Sequence, residues 1–254
     1  MAWTSNEHEV LSSTSEQPLP VATFVDWLRR EGMNRYHHQH GYHLLMHEGK
    51  LSRYQLQQWV LNRYYYQTRI PIKDALILSK SEDSAFRRMW IRRIYDQDGE
   101  REGEGGLALW LQLAQGVGLD ADEVASCRSV LRGVRLACDE YVTLVTERSL
   151  VEAVASSLTE IFAPDLMSKR TTAWRQHYPW VDSTKLAYFQ SRVLRAQRDA
   201  DDALAFVVQK ATSYEIQARC VDALIRKTQI LWRILDCLYA AYVSPGLDAS
   251  GSQE

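Results

Sequence analysis

The stretch Trp59-Val60-Leu61-Asn62-Arg63-Tyr64-Tyr65-Tyr66-Gln67 puts an arginine, a phenol and an amide into a segment that otherwise has the pattern of a buried helix. Trp59, Arg63, Tyr66 and Gln67 stand at i, i+4, i+7 and i+8, so a helix carries all four on one stripe. A guanidinium is costly to bury unless an anion meets it, so the stripe calls for an internal carboxylate or a bound anionic ligand. Comparable groups recur downstream. Arg93 and Gln97 share the helix side that bears Trp90. Glu160 follows the small residues of Ser156-Ser157-Leu158-Thr159. Met167 and Arg170 stand three apart, Tyr188 and Arg192 one turn apart, and Lys227 interrupts an apolar run. Together with Tyr36, Tyr66 and Tyr141, these positions can converge inside a helical bundle. The cations Arg63, Arg93, Arg170, Arg192 and Lys227 outweigh Glu160, which favours a polyanionic ligand. Each charge-assisted hydrogen bond is worth about 1.5–3 kcal/mol net. Flat phenols suit a cyclic, conjugated molecule.

Each of these groups also has a plainer reading. Arg92 and Asp98 fit a solvated face, Glu160 can form a structural pair with Arg170 or another arginine, and Lys227 can reach solvent along its stem. His37, His38, His40, His43 and His47 crowd one window, and His40, His43 and His47 share a helical face. Only Glu48 accompanies them within that helix, a poor donor set for a hydrolytic or di-iron centre. The expectation is therefore no metal, with hydrogen-bonded histidines in the packing and Tyr36 and His37 reaching a cavity at the helix start. Cys138, one turn before Tyr141, is the thiol best placed to be a nucleophile, and a small buried apolar role is its simpler alternative.

The elements that must position these groups are helical. Apolar residues recur at helical spacing from Phe24, Trp27 and Leu28 to Trp232, Leu235 and Tyr239, and alternating strand patterns are almost absent. Breaks are expected at Gly99 to Gly106, Gly116 to Leu119, around Gly133, at Pro164, at Tyr178-Pro179-Trp180 and at Ser244-Pro245-Gly246. They leave an all-α bundle of about seven helices, the last two spanning roughly 184–211 and 213–242. Residues 1–19 are expected to be a disordered leader, 20–244 one domain and 245–254 a flexible tail. The chain has 254 residues, 46% of them hydrophobic, enough for one large core. Its formal charge of −2 gives no basic field for nucleic acid. No apolar run approaches a membrane span, and Cys127, Cys138, Cys220 and Cys237 lack paired spacing. The expectation is a soluble cytoplasmic protein with reduced thiols and no nucleic-acid or membrane partner.

The chain resembles the pyrroloquinoline quinone synthase (PqqC) family of the haem-oxygenase-like superfamily from about Val21 to Tyr242. Four motifs in order carry the likeness: Asn62-Arg63-Tyr64-Tyr65-Tyr66-Gln67, Ile70-Pro71-Ile72-Lys73-Asp74-Ala75, Ser156-Ser157-Leu158-Thr159-Glu160 with Phe162-Ala163-Pro164, and Gln176-His177-Tyr178-Pro179-Trp180. The resemblance implies a compact seven-helix bundle, usually dimeric. It also implies oxidation and ring closure of a polycarboxylated bicyclic quinone precursor to pyrroloquinoline quinone, with O₂ as oxidant and neither metal nor organic cofactor. By position, it implies that Tyr36, His37, Arg63, Tyr66, Gln67, Arg93, Tyr141, Thr159, Glu160, Arg170 and Lys227 hold the substrate, and that Tyr188 and Arg192 flank the oxygen site.

Two positions depart from the family. Gln97 and Met167 stand where it has histidines that handle protons and shape the oxygen pocket, and neither an amide nor a thioether titrates near neutral pH. Besides an oxidase, the sequence therefore admits a paralogue that binds a related anionic ring compound without turnover. A thiaminase-like hydrolase using Cys138 is a further alternative.

Overall fold

The computed structural model describes residues 17–244, and every regular element among them is helical. The α-helical segments are α1 (Val21–Arg35), α2 (Gly41–His47), α3 (Arg53–Ser79), α4 (Ser84–Trp90), α5 (Arg92–Asp98), α6 (Gly105–Gly116), α7 (Ala121–Ser126), α8 (Arg132–Glu147), α9 (Leu150–Ser156), α10 (Ala163–His177), α11 (Ala187–Lys210) and α12 (Tyr214–Tyr242). Single 3₁₀ turns cover His37–Gln39, Ser157–Phe162 and Ser183–Lys185. The all-α expectation stands, in more pieces than the seven helices read from the sequence. The additions are short: α2, α4, α5, α7 and α9 have six or seven residues each. Two turns of helix are too few to leave a clear hydrophobic period. Most of the expected leader and the whole expected tail lie outside the described residues. Leu19 docks on α12, its N–H donating to Gln217 Oε1 at 2.8 Å and its carbonyl accepting from Gln217 Nε2.

α3 is the axis of the bundle. Ser52 and Gln55 close a capping box at its start, satisfying two backbone N–H groups that a helix end leaves open. Side chains all round it are buried, because α5, α6, α8, α9 and α12 pack on it from several sides. Asn62 ties it to the start of α8 by accepting from the Leu131 N–H at 2.8 Å. α12 crosses α8, α9 and α1, and α11 lies along α10. Trp59, Trp110, Trp174 and Phe189 form an aromatic block joining α3, α6, α10 and α11, with ring centroids 5.1 to 6.5 Å apart. Such pairs add about 0.5–1.5 kcal/mol each beyond area burial.

The expected breaks fall where helices end, with one correction. Gly133 lies inside the first turn of α8, not in a connection. A Cβ there would meet Cys237 Sγ at 2.6 Å, so this glycine permits close approach of α8 and α12. Pro164 begins α10, where a missing N–H costs nothing. Tyr178-Pro179-Trp180 is a structural knot: the Tyr178 hydroxyl donates to the Met46 carbonyl at 3.0 Å and Arg53 lies over the Trp180 ring.

A cationic chamber at the centre of the bundle

Side chains from α3, α10, α11, the Ser157–Phe162 turn and the Tyr36-His37 segment enclose a cavity of about 60 Å³. Of the residues expected at a site, Tyr36, His37, Arg63, Tyr66, Gln67, Tyr141, Thr159, Glu160, Met167, Arg170, Tyr188 and Arg192 line it. Arg93, Gln97 and Lys227 stand one layer back, each bonded to or stacked on a lining group. The 3₁₀ turn matters here. Interrupting α9 before α10 brings Ser157, Thr159 and Glu160 onto one wall.

The charges divide into a paired set and an unpaired set. Arg93 donates to Glu160 at 2.7 Å, and Arg192 reaches Glu160 at 3.5 Å and Asp199 at 3.8 Å. Burial pushes Glu160 up, but Arg93, Arg192 and Lys73 outweigh it and hold the carboxyl below its usual range. Asp199 moves the other way, raised by burial and by Glu160. Lys73, with its own partner Asp74 at 2.6 Å, adds another lining cation and donates to Ser157 Oγ at 3.0 Å. The sequence balance of five cations against Glu160 alone is corrected accordingly, since Asp199 and Asp74 also face this network. Glu160 does serve as an ion-pair partner, though of Arg93 and Arg192 and not of Arg170.

Arg63, Arg170 and Lys227 remain without a carboxylate among the described residues. Arg63 stacks on the Tyr66 ring at 3.9 Å. Arg170 lies over Trp59 at 4.7 Å, donates to His43 Nε2 at 3.1 Å and reaches Met167 Sδ only at 4.0 Å, leaving its Nε unpartnered. Burial and the neighbouring Arg63 push the Arg170 guanidinium down to about 9. Lys227 is fully enclosed, donates to the Tyr66 hydroxyl at 2.8 Å and sits 3.3 Å from the Tyr141 ring centroid. Burial, then Arg63, lower it well below an ordinary lysine, so the snorkelling alternative does not hold. Tyr66 and Tyr141 stand parallel, 6° apart, as flat walls.

An amide network closes one end. The Tyr188 hydroxyl donates to Gln67 Oε1 at 2.7 Å, and Gln97 Nε2 approaches the Gln67 carbonyl at 3.2 Å and its Oε1 at 3.3 Å. That carbonyl is free because Pro71, four residues on inside α3, has no N–H to give it. Gly106 makes room, for a Cβ there would stand 2.5 Å from Gln97 Oε1.

Lys73, Ser157, Asp199 and His43 were missed as site residues. Lys73 lies seven residues after Tyr66, and Asp199 seven after Arg192, so extending each stripe by two turns finds both. His43 accepts from Arg170 because its Nδ1 faces the His37 carbonyl at 3.0 Å, a contact across a turn that spacing does not reveal. The histidine window disperses: His40 pairs with Asp236 at 3.0 Å, His43 and His37 serve the chamber, and His47 faces away. Among the described residues no three His, Cys, Asp or Glu side chains are grouped to hold a metal ion. Cys138 is fully buried, and burial pushes its thiol up to about 12, which suppresses the thiolate a nucleophile needs.

A model of the TENA/THI-4/PQQC family matches residues 29–237. The chain is 48% identical over 225 residues to the pyrroloquinoline-quinone synthase of Acidiphilium cryptum, covering 89% of this chain and 92% of that one. It is 49% identical over 220 residues to that of Xanthomonas oryzae pv. oryzae, covering 87% and 88%. A bifunctional coenzyme PQQ synthesis protein C/D of Methylorubrum extorquens is also 49% identical over 220 residues, 87% of this chain, which spans 59% of that relative's length. In fold, it is similar to a haem-oxygenase-like domain of unknown function from Shewanella denitrificans, with TM-score 0.73, 12% identity and coverage of 93% and 99%. A TenA homologue from P. horikoshii gives TM-score 0.68 at 12% identity, covering 87% and 98%.

Proposed function

Because this chain belongs to the TENA/THI-4/PQQC family, we propose that it is an oxidoreductase of the pyrroloquinoline-quinone synthase kind, acting at the final step of pyrroloquinoline quinone biosynthesis. The observation that carries the reading is the unpaired set: the buried Arg170 and Lys227 and the half-buried Arg63, all without acids, with Arg170 Nε and His37 Nδ1 buried and lacking any hydrogen-bond partner. Such groups are seldom left open in a folded protein, and ligand carboxylates would close them.

In this reading the substrate's carboxylates meet Arg63, Arg170 and, through the Tyr66 wall, Lys227. Tyr66 and Tyr141 hold the ring flat, and Glu160, kept ionised by Arg93 and Arg192, accepts protons as the ring is oxidised. The substrate is its own reductant and O₂ the acceptor, each two-electron oxidation passing two electrons and two protons to O₂ as hydrogen peroxide. Neither a metal nor an organic cofactor has a part in it. Tyr188 and Arg192, beside Glu160 and Gln67, flank the position for O₂. The cavity is smaller than the roughly 300–1,000 Å³ of sites that enclose sizeable ligands. Binding therefore moves its long side chains, Met167 and the unpaired Arg63 and Arg170 being free of ion pairs that would resist. We extend the reading to a cytoplasmic homodimer. Four free thiols suit a reducing compartment, and exposed Leu136 and Leu194 offer apolar surface for a second copy to cover, which sedimentation tests.

Anaerobic mixing of the protein with the bicyclic precursor, followed by an oxygen pulse, should give protein-dependent spectral change and O₂ uptake. Absence of any binding would reject the proposal. A second reading, a binder without turnover, is favoured by Gln97, whose amide is engaged with Gln67, and by Met167, which brings no proton to the chamber. The double change Gln97→His with Met167→His separates the two. Under the binding reading it creates turnover where there was none, by restoring a placed acid and base. Measurable turnover by the unchanged chain removes that reading.

A further inference from the structure

Across the Tyr36 ring from the chamber lies a second cavity, of about 170 Å³, between the end of α1, α2 and α10. Nothing in the proposed reaction uses it. Its wall carries His47, 8% exposed, with neither Nδ1 nor Nε2 given a hydrogen-bond partner. His38, half-buried on the same wall, has only the Tyr36 backbone near its ring as a partner, in poor geometry for its Nδ1. Tyr36 and Phe162, centroids 5.2 Å apart, form the partition towards the chamber. Packing alone does not explain a cavity bordered by imidazole nitrogens with nothing to bond.

Cations dominate the field at these rings. Arg170 and Lys169 both act on His47, and Lys169 acts on His38. Asp165 also lines the cavity, one turn before the exposed Lys169, and among the described residues no ion pair joins the two. Burial is the main reason that both imidazoles are held neutral, His47 down at about 3, so each can present one N–H donor at physiological pH. We propose that this cavity is a second anion subsite, in which His47, His38 and Lys169 hold one carboxylate. The carboxylate belongs either to a separate small acid or to an arm of the molecule in the chamber. The subsite stands on its own geometry, and only the second source rests on the function proposed above.

The test uses the full chain, nitrogen-15 labelled, with acetate and pyrroloquinoline quinone as probes and the histidine ring nitrogens observed by NMR. Acetate is expected to shift the His47 and His38 signals saturably, and Lys169→Met to weaken it about two- to fivefold, as for one solvated charge. Lys169 is exposed, so this variant should fold. If pyrroloquinoline quinone displaces acetate, the carboxylate is an arm of the chamber's ligand; if the two bind independently, it is a separate small acid. Either result supports the subsite. It is overturned if neither probe moves these signals, or if the acetate shift persists at full strength in both Lys169→Met and His47→Phe. Failure of pyrroloquinoline quinone to shift His37 would count against the proposed function, while the acetate titration would still decide the subsite.

Discussion

At the residue scale, Arg170 and Lys227 have free-state affinities for protons well below those of ordinary side chains, because each is enclosed near another cation and without an acid. A bound carboxylate favours their charged forms, so ligand binding must take up protons. The sign follows: affinity is highest at lower pH, where Lys227 is already charged, and falls as pH rises and the buried lysine gives up its proton. Calorimetry of pyrroloquinoline quinone binding in buffers of different ionisation enthalpy should show net uptake near pH 8. Cys138 yields the opposite kind of prediction, for its buried thiol with a raised pKa has no chemical part to play. Cys138→Ala should leave turnover unchanged, with a stability loss of about 1 kcal/mol from one lost buried sulfur. Which of these residues were legible depended on whether their signal was periodic. The α3 stripe was plain from Trp59 to Gln67, whereas the division of arginines into paired and unpaired depends on Asp199, an acid more than thirty positions from Glu160 that only the packing of α11 brings near.

Among the elements, the long helices were readable because their apolar periods held over many turns. α11 and α12 fall within a few residues of the expected spans. The short ones were not, since α4 and α5 look like a single amphipathic run until the chain bends at Ile91. The sharpest element-level prediction concerns Pro71. Pro71→Ala supplies a backbone N–H for the Gln67 carbonyl, completing the α3 ladder and displacing Gln97 from that acceptor. The variant should unfold at higher denaturant, by about 1–3 kcal/mol, because an interior proline is relieved. It should bind pyrroloquinoline quinone less well, and unchanged binding would show that the free carbonyl has no part in the site.

For the whole molecule, an enclosed and unbalanced set of positive groups means that the empty protein is less stable than its packing alone would give. Saturation at one hundred times Kd adds about 2.7 kcal/mol. At roughly 2–4 °C per kcal/mol for a domain of this size, pyrroloquinoline quinone should raise the melting temperature by about 5–10 °C. Lys227→Met should reverse the balance. The empty variant should melt at or above the parent temperature, because an isolated buried cation is replaced by a side chain of similar length. Its affinity should fall about 10- to 100-fold, the worth of one charge-assisted bond. A heat-tolerance screen run without ligand would therefore reward apolar replacements at Arg63, Arg170 and Lys227 first. Its winners would be the sturdiest members of the library and the least able to recognise their substrate.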